Sequence, residues 1–226
     1  MLYPILDVDV AARAGWTLAD LARACVAGGA RCLQIRAKTI AGGRFLDLAV
    51  RIQEIAHASG AILIVNDRVD IARLSGADGV HVGQDDLPPV AARSVIGTDA
   101  VVGLSTHTEA QVDAGVAQPV SYIAVGPVFG TATKDTGYAP VGLDRVRYAA
   151  AAIARRPLPD GGRSRGPVGI VAIGGITLDR AARAIAAGAT AVAVIADLLS
   201  TGDPESQVRA YLARLAESAG YNPRGL

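Results

Sequence analysis

The chain contains few of the residues that indicate a disulfide scaffold, a membrane anchor or a nucleic-acid surface. Among its 226 residues are two cysteines, one tryptophan and two phenylalanines, and its charges nearly cancel at +1. Cys25 and Cys32 fall in apolar segments, so we expect buried core thiols rather than a disulfide or a metal pair. No apolar run is long enough to cross a membrane, and the one basic cluster lacks aromatic residues. The first ten residues do not resemble a signal peptide. We expect a cytoplasmic protein with no membrane or nucleic-acid partner.

Short apolar segments alternate with amphipathic ones along the whole sequence. Eight segments rich in β-branched residues predict buried strands, each followed by a segment with helical periodicity. The helix-to-strand joint recurs as Gly-Ala, with glycine in the position of a left-handed helix cap. This repeat and the chain length predict an α/β fold, a single-domain (β/α)8 TIM barrel over residues 1–226. A doubly wound open sheet is the alternative, but its opening GxGxxG motif is absent. Residues 157–167, rich in glycine and proline, predict a mobile loop away from the site.

Two consecutive predicted strands end in acidic residues within the stretch 61–86. Asp67 follows the first of these strands and Asp86 follows the second. Parallel neighbours leave their carboxyl ends on the same side of a sheet, so the two carboxylates should converge. Paired carboxylates suit Mg2+, which shares oxygen ligands with substrate phosphates. Each aspartate alone is equally compatible with a helix N-cap. The pair beside Asn66 and Gln84 favours a metal site.

The other strand ends supply two groups of anion-binding residues. One group is rich in cations and metal ligands and comprises Arg36, Lys38, Asp67, Asp86 and Lys134. The other is built mainly from backbone and comprises 131–133, Gly175, Ile195 and Ala196. This arrangement is typical of an enzyme that joins a diphosphate to a monophosphate. No Ser-His-Asp or Cys-His arrangement is evident; His81 is predicted to be a core or barrel-lining residue, His57 a surface residue, and His107 a supporting group.

Together, the strand-end motifs QIRAK, VND, GVHVGQDDL, GLSTH, GPVFGTATK and AIGGIT resemble those of the thiamine-phosphate synthase family, in its order and spacing over nearly the whole chain. The resemblance implies that a hydroxymethylpyrimidine diphosphate and a thiazole phosphate combine to give thiamine phosphate and pyrophosphate. It implies Mg2+ at Asp67 and Asp86, and catalytic roles for Arg36, Lys38, Ser105 and Lys134. The implied pyrimidine-diphosphate residues are Gln34, Arg36, Lys38, Asn66, Ser105 and Lys134. The implied thiazole-phosphate residues are Thr131, Ala132, Thr133, Gly175, Ile195 and Ala196. The expected partners are these two small molecules, and a homo-oligomer is left open.

The chain departs from the family pattern at two positions. Ala37 stands where the family has a polar residue, and Ala196 stands where it often has serine. Three other functions remain as alternatives: a thiazole tautomerase of the same fold, a non-catalytic phosphate-binding regulatory barrel, and a metal-free sugar-phosphate isomerase or lyase. The acid at Asp86 argues against the tautomerase, and the number of charged strand-end residues argues against a passive binder. The isomerase or lyase would need a base or a lysine on a strand, whereas Lys38 and Lys134 are predicted to lie in loops.

Overall fold

Strands and helices alternate in the computed structural model, which describes residues 1–131, 137–155 and 168–218. The strands are β1 (Leu2–Asp7), β2 (Cys32–Arg36), β3 (Ile62–Asn66), β4 (Gly79–Val82), β5 (Val101–Thr106), β6 (Tyr122–Val125), β7 (Gly169–Ile173) and β8 (Ala191–Val194). Each strand is parallel to its neighbours in sequence, and β8 pairs with β1. The sheet therefore closes into an eight-stranded barrel, and the predicted (β/α)8 fold is confirmed.

Helices surround the barrel and bury one face each against it. They are α1 (Val8–Arg13), α2 (Leu18–Ala27), α3 (Gly42–Ala58), α4 (Val69–Ser75), α5 (Pro89–Ile96), α6 (Glu109–Ala117), α7 (Gly142–Ala154), α8 (Leu178–Ala186) and α9 (Pro204–Ala216), with a 3-10 helix (Ala196–Leu199) after β8. The glycines at the Gly-Ala joints all have positive φ, for example 70° at Gly76, as the left-handed cap predicts. Within the described ranges, no helix combines the length and apolar character that a membrane span needs.

Alternate strand residues separate two layers of the core. Leu2 and Leu6 of β1 point outward and pack under the helices, whereas Tyr3 and Ile5 point into the barrel. The inner layer also contains Cys32, while Cys25 lies in the outer layer, and both thiols are fully buried and free. The prediction that the cysteines are core residues is confirmed. The inner layer includes two tyrosines, Tyr3 and Tyr122. Side chains that carry polar atoms therefore help to fill the lumen.

The structure contains two short elements that the sequence pattern did not predict. The helix α1 begins directly after β1, because the Asp7 carboxylate accepts hydrogen bonds from the backbone N–H groups of Asp9 and Val10. The 3-10 helix follows β8, which ends at Val194. Both elements are too short to show helical periodicity in the sequence. The predicted loop at 157–167 lies outside the described residues.

Candidate active site

A cavity of about 270 Å3 opens at the carboxyl ends of the strands. Side chains from all parts of the barrel line it, as expected for this fold. Of the predicted site residues, the lining includes Gln34, Arg36, Asn66, Ser105, Thr131, Gly175, Ile195 and Ala196. Lys38, Asp67 and Asp86 lie at neighbouring strand ends but are not among the lining residues. Ala132, Thr133 and Lys134 lie outside the described part of the chain.

Arg36 is held by a carboxylate that the sequence reasoning did not assign to the site. Asp7 and Arg36 are paired across β1 and β2, and an Arg36 Nη1–H donates to Asp7 Oδ2. Asp7 is 4% exposed, so this ion pair is largely shielded from water. The Arg36 Nε atom is buried and has no hydrogen-bond acceptor within the described residues. An arginine oriented by one carboxylate, with donors still unused, is well placed to bind an anion entering the cavity.

Asp67 and Asp86 come together at the ends of β3 and β4. The side-chain contact with Asp67 contributes to a raised pKa of Asp86, although burial is the larger cause of that rise. Asp86 Oδ2 also accepts the Gly83 N–H at 2.8 Å, and Asp67 forms an ion pair with Lys38. Because one lysine balances only one of two touching carboxylates, the pair retains excess negative charge.

Neither aspartate is a helix cap, so that alternative is wrong. The N-cap residue of α4 is Arg68 and that of α5 is Pro88, and neither helix start has a side-chain cap. Asp67 instead has a φ of 63°, the only positive φ at a non-glycine position among the described residues. The Asp67 N–H donates to His81 O at 2.7 Å, which fixes this backbone conformation against β4. Strained residues of this kind concentrate at functional sites.

The donor set of this pair fits a hard divalent cation. Two carboxylates offer oxygen ligands, and no group of three or more acidic, histidine or cysteine side chains suited to a metal occurs in the described ranges. Mg2+ usually binds through one or two carboxylates and takes its remaining ligands from water and substrate phosphate. The residues present are therefore compatible with a metal whose coordination is completed by substrate.

We predict that replacing Asp86 with asparagine makes the metal-free protein slightly more stable. The change removes one of two touching carboxylates while keeping the shape of the side chain. In the presence of a chelator, we expect the thermal midpoint of Asp86→Asn to rise by about 1–3 °C. Millimolar Mg2+ should raise the midpoint of the wild type but not of the variant, as measured by differential scanning fluorimetry. Equal Mg2+ responses of the two proteins would show that Asp86 does not bind the metal.

A chain of hydrogen bonds crosses the barrel lumen beneath the cavity. Gln34 Nε2 donates to Tyr3 Oη at 2.9 Å, and Tyr3 Oη lies 2.9 Å from Tyr122 Oη. His81 then bridges Tyr122 and Ser105, with Nδ1 and Nε2 each 2.9 Å from a hydroxyl oxygen. Burial is the main cause that raises the pKa of both tyrosines well above the usual value, so both hydroxyls stay protonated.

The tautomer of His81 determines what Ser105 offers to a ligand. Each ring nitrogen of His81 lies within hydrogen-bond distance of one hydroxyl, Nδ1 of Tyr122 Oη and Nε2 of Ser105 Oγ. The tautomer with its proton on Nε2 donates to Ser105 and accepts from Tyr122. In that tautomer the Ser105 hydroxyl hydrogen is available to a bound molecule. His81, predicted to be a core or lining residue, is 7% exposed and lines the cavity.

The second anion-binding group lies where the loops after β6 and β7 meet. Val128 N–H donates to Ile173 O and Phe129 N–H donates to Gly174 O, so these loops are joined by backbone hydrogen bonds. A Cβ at Gly175 would come within 2.4 Å of Gly130 O, and its φ is 60°, so a side chain there is excluded. The α8 helix begins immediately afterwards without a side-chain cap. Its first N–H groups are therefore suited to an anion.

Two charged residues near this group were not identified from the sequence. Arg180, in the first turn of α8, lines the cavity and donates from Nη1 to Gly175 O at 2.8 Å. Asp197 also lines the cavity, and its Oδ2 accepts from Tyr211 Oη at 2.5 Å and from Gln207 Nε2 at 3.0 Å. Arg180 lies in a predicted helix, where surface exposure is the ordinary expectation for arginine. The place of Arg180 in the cavity wall depends on the packing of α8 against the loop after β6.

The family model and the curated relatives agree on one family. The family model described as thiamine monophosphate synthase matches residues 2–198. A thiamine-phosphate synthase from Arthrobacter sp. (strain FB24) is 40% identical, covering 89% of this chain and 89% of that relative. Another from Methanoculleus marisnigri is 39% identical over 95% of both chains. The solved structure of a thiamine phosphate pyrophosphorylase from Pyrococcus furiosus has a TM-score of 0.81 at 24% identity, covering 97% of this chain and 96% of that one, which supports the fold.

Proposed function

The chain belongs to the thiamine monophosphate synthase family, and from this membership we propose that it joins an aminopyrimidine methyl diphosphate to thiazole phosphate and releases pyrophosphate. Enzymes with this activity are transferases, and their substrates are small molecules. We also propose that the reaction requires Mg2+ and that the protein is cytoplasmic, a location that the two free, buried cysteines support.

The observation that supports the proposal is that two regions with different kinds of polar group lie on opposite sides of one cavity. Arg36 at the end of β2 lies beside the β3 and β4 ends, where the touching carboxylates Asp67 and Asp86 are suited to a metal. The opposite region offers mainly backbone N–H groups around Gly175 and the start of α8. The cation-rich region suits a diphosphate that gains charge as it leaves. The backbone region suits a monophosphate that stays unchanged.

The proposed reaction breaks one C–O bond and forms one C–N bond. The amino group of the pyrimidine stabilises a cation at the exocyclic methylene carbon, so the bond to the diphosphate oxygen can break with its electron pair leaving on that oxygen. The lone pair of the thiazole nitrogen then forms the new bond to the methylene carbon. No general base is needed, because the attacking nitrogen carries no proton. The demand on the protein is charge neutralisation and exclusion of water.

The proposed roles of the residues follow from this demand. Arg36 and Lys38 bind the diphosphate oxygens, and Lys134, in the segment outside the described residues, is proposed to act on the same group. Asp67 and Asp86 would hold Mg2+, which when bound would supply Lewis-acid neutralisation of the leaving diphosphate. Gln34, Asn66 and the Ser105 hydroxyl orient the pyrimidine.

The monophosphate is proposed to bind through backbone donors and small hydroxyls. The residues proposed for it are Thr131, Ala132, Thr133, Gly175, Ile195 and Ala196. Because Ala196 lacks a hydroxyl, only its backbone N–H can donate a hydrogen bond to the phosphate. This is consistent with its place at the first position of the 3-10 helix, where N–H groups have no partner within the helix.

Mass spectrometry of the reaction mixture tests the proposal. The purified protein with both substrates and Mg2+ should yield thiamine phosphate and pyrophosphate in equal amounts, and a chelator should stop the reaction. Isomerisation of the thiazole without a coupled product would instead indicate the tautomerase. Tight binding of thiazole phosphate without turnover would indicate a regulatory barrel. Either result would contradict the proposed function.

A further inference from the structure

Arg180 is positioned between the two loops that form the second anion-binding region. Its guanidinium carbon lies 4.9 Å from the centroid of the Phe129 ring, which belongs to the loop after β6. Its Nη1 donates to the carbonyl of Gly175, which belongs to the loop after β7. The side chain is partly buried and lines the cavity. The guanidinium is therefore held in place at the cavity wall before any ligand binds.

Arg180 has no carboxylate partner in an ion pair among the described residues, unlike the other arginine of the cavity wall. Arg36, the other arginine of the cavity wall, is paired with Asp7. In the part of the chain that the structure describes, no carboxylate oxygen lies within 4.0 Å of the Arg180 guanidinium. The contact with Gly175 uses one of the five N–H donors of the side chain. A preorganised cation with unused donors beside uncapped backbone N–H groups is a strong arrangement for binding phosphate.

We propose that Arg180 is the side-chain cation that binds the phosphate of the thiazole substrate. This inference rests on the proposed function and adds to it a residue that supplies charge where the backbone supplies only dipoles. It also gives the reaction a means of distinguishing the phosphorylated thiazole from the free alcohol. A neutral hydroxyl offers one acceptor to the guanidinium, whereas a phosphate offers three oxygens and at least one negative charge.

A neighbouring arginine provides a matched control. The Arg183 guanidinium carbon lies 5.7 Å from the centroid of the same Phe129 ring, but Arg183 is exposed and is not among the residues that line the cavity. Arg180→Ala should raise the KM for thiazole phosphate by about 10- to 100-fold, the loss expected for charge-assisted hydrogen bonds. The KM for the pyrimidine diphosphate should stay within about twofold of the wild type. Arg183→Ala should leave the KM values for both substrates within about twofold.

A comparison of two substrates separates phosphate binding from support of the loops. The ratio of kcat/KM for thiazole phosphate to that for thiazole alcohol should fall by about 10- to 100-fold in Arg180→Ala. Arg180→Lys should recover part of the loss, because it restores the charge without the planar fork. If Arg180 only supported the loops, both substrates would lose efficiency equally and the ratio would not change. An unchanged ratio would overturn the inference.

The result can be distinguished from a failure of the proposed function. If the wild type forms thiamine phosphate and Arg180→Ala keeps the wild-type ratio, the inference fails and the proposed function stands. If the wild type forms no product, calorimetry with thiazole phosphate tests Arg180 directly. Binding that Arg180→Ala weakens by tenfold or more and Arg183→Ala does not would support the inference. Equal binding to all three proteins, or no binding to the wild type, would overturn it.

Discussion

Asp67→Asn and Asp86→Asn should each lower turnover by about 10²- to 10⁴-fold at saturating substrate, since a metal that stabilises leaving-group charge contributes several kcal/mol to the transition state. Asparagine keeps one oxygen ligand but removes the negative charge that attracts the cation. At Asp67, asparagine is also a better test than alanine. Asparagine tolerates the φ of 63° at this position, whereas alanine would be strained there. Steady-state assays over a range of Mg2+ concentrations would measure the effect.

The control for this prediction is the acid next to Asp86. Asp85 is exposed, and Asp85→Asn removes the same charge one residue away from the proposed ligand. Its turnover and Mg2+ dependence should match the wild type. Near-normal activity of either Asp67→Asn or Asp86→Asn at limiting Mg2+ would show that the residue is not a metal ligand.

Gly103→Ala should have a large effect on stability, with a loss of about 3 kcal/mol or more. A Cβ at Gly103 would lie 2.1 Å from the Tyr122 ring and 2.3 Å from its hydroxyl oxygen, so the fully buried ring must move. The movement would break the hydrogen bonds of Tyr122 with Tyr3 and His81 and leave polar atoms unsatisfied in the lumen. We expect the thermal midpoint to fall by about 6–12 °C, measured by calorimetry.

A second glycine serves as the control for the substitution itself. Gly43 lies in α3 and has no atom within 4 Å of an added Cβ. Gly43→Ala should therefore be neutral or stabilising by up to about 1 kcal/mol. A midpoint for Gly103→Ala within about 2 °C of the wild type would show that the lumen accommodates the methyl group and that the close packing of Tyr122 is not required.

The strands and the convergence of the acids could be predicted because both depend on local patterns. The apolar run 62–65, rich in β-branched residues and ended by Asn66, favours a buried strand, and parallel neighbours end on the same side. The expectation that Asp67 and Asp86 approach one another needed only that topology. Their backbone details, including the positive φ of Asp67, depend on a contact with β4 that the sequence does not specify.

The hydrogen-bond chain and Arg180 could not be predicted because they depend on registry and packing. Tyr3 and Tyr122 are far apart in sequence and meet only because both point into a closed barrel. Arg180 reaches the cavity only because α8 packs against the loop that carries Phe129. A period-of-two or period-of-3.6 analysis assigns such residues to a face but not to a partner.

Calorimetric titration of pyrophosphate and thiazole phosphate, each with Mg2+ and with a chelator, tests most directly the central claim that the two anion-binding regions differ. We predict that pyrophosphate binding requires Mg2+ and is lost in Asp67→Asn, whereas thiazole phosphate binds equally well under all of these conditions. Pyrophosphate binding that is independent of Mg2+, or thiazole-phosphate binding that needs Mg2+ and Asp67, would contradict the assignment of the metal and the diphosphate to the β2–β4 side of the cavity.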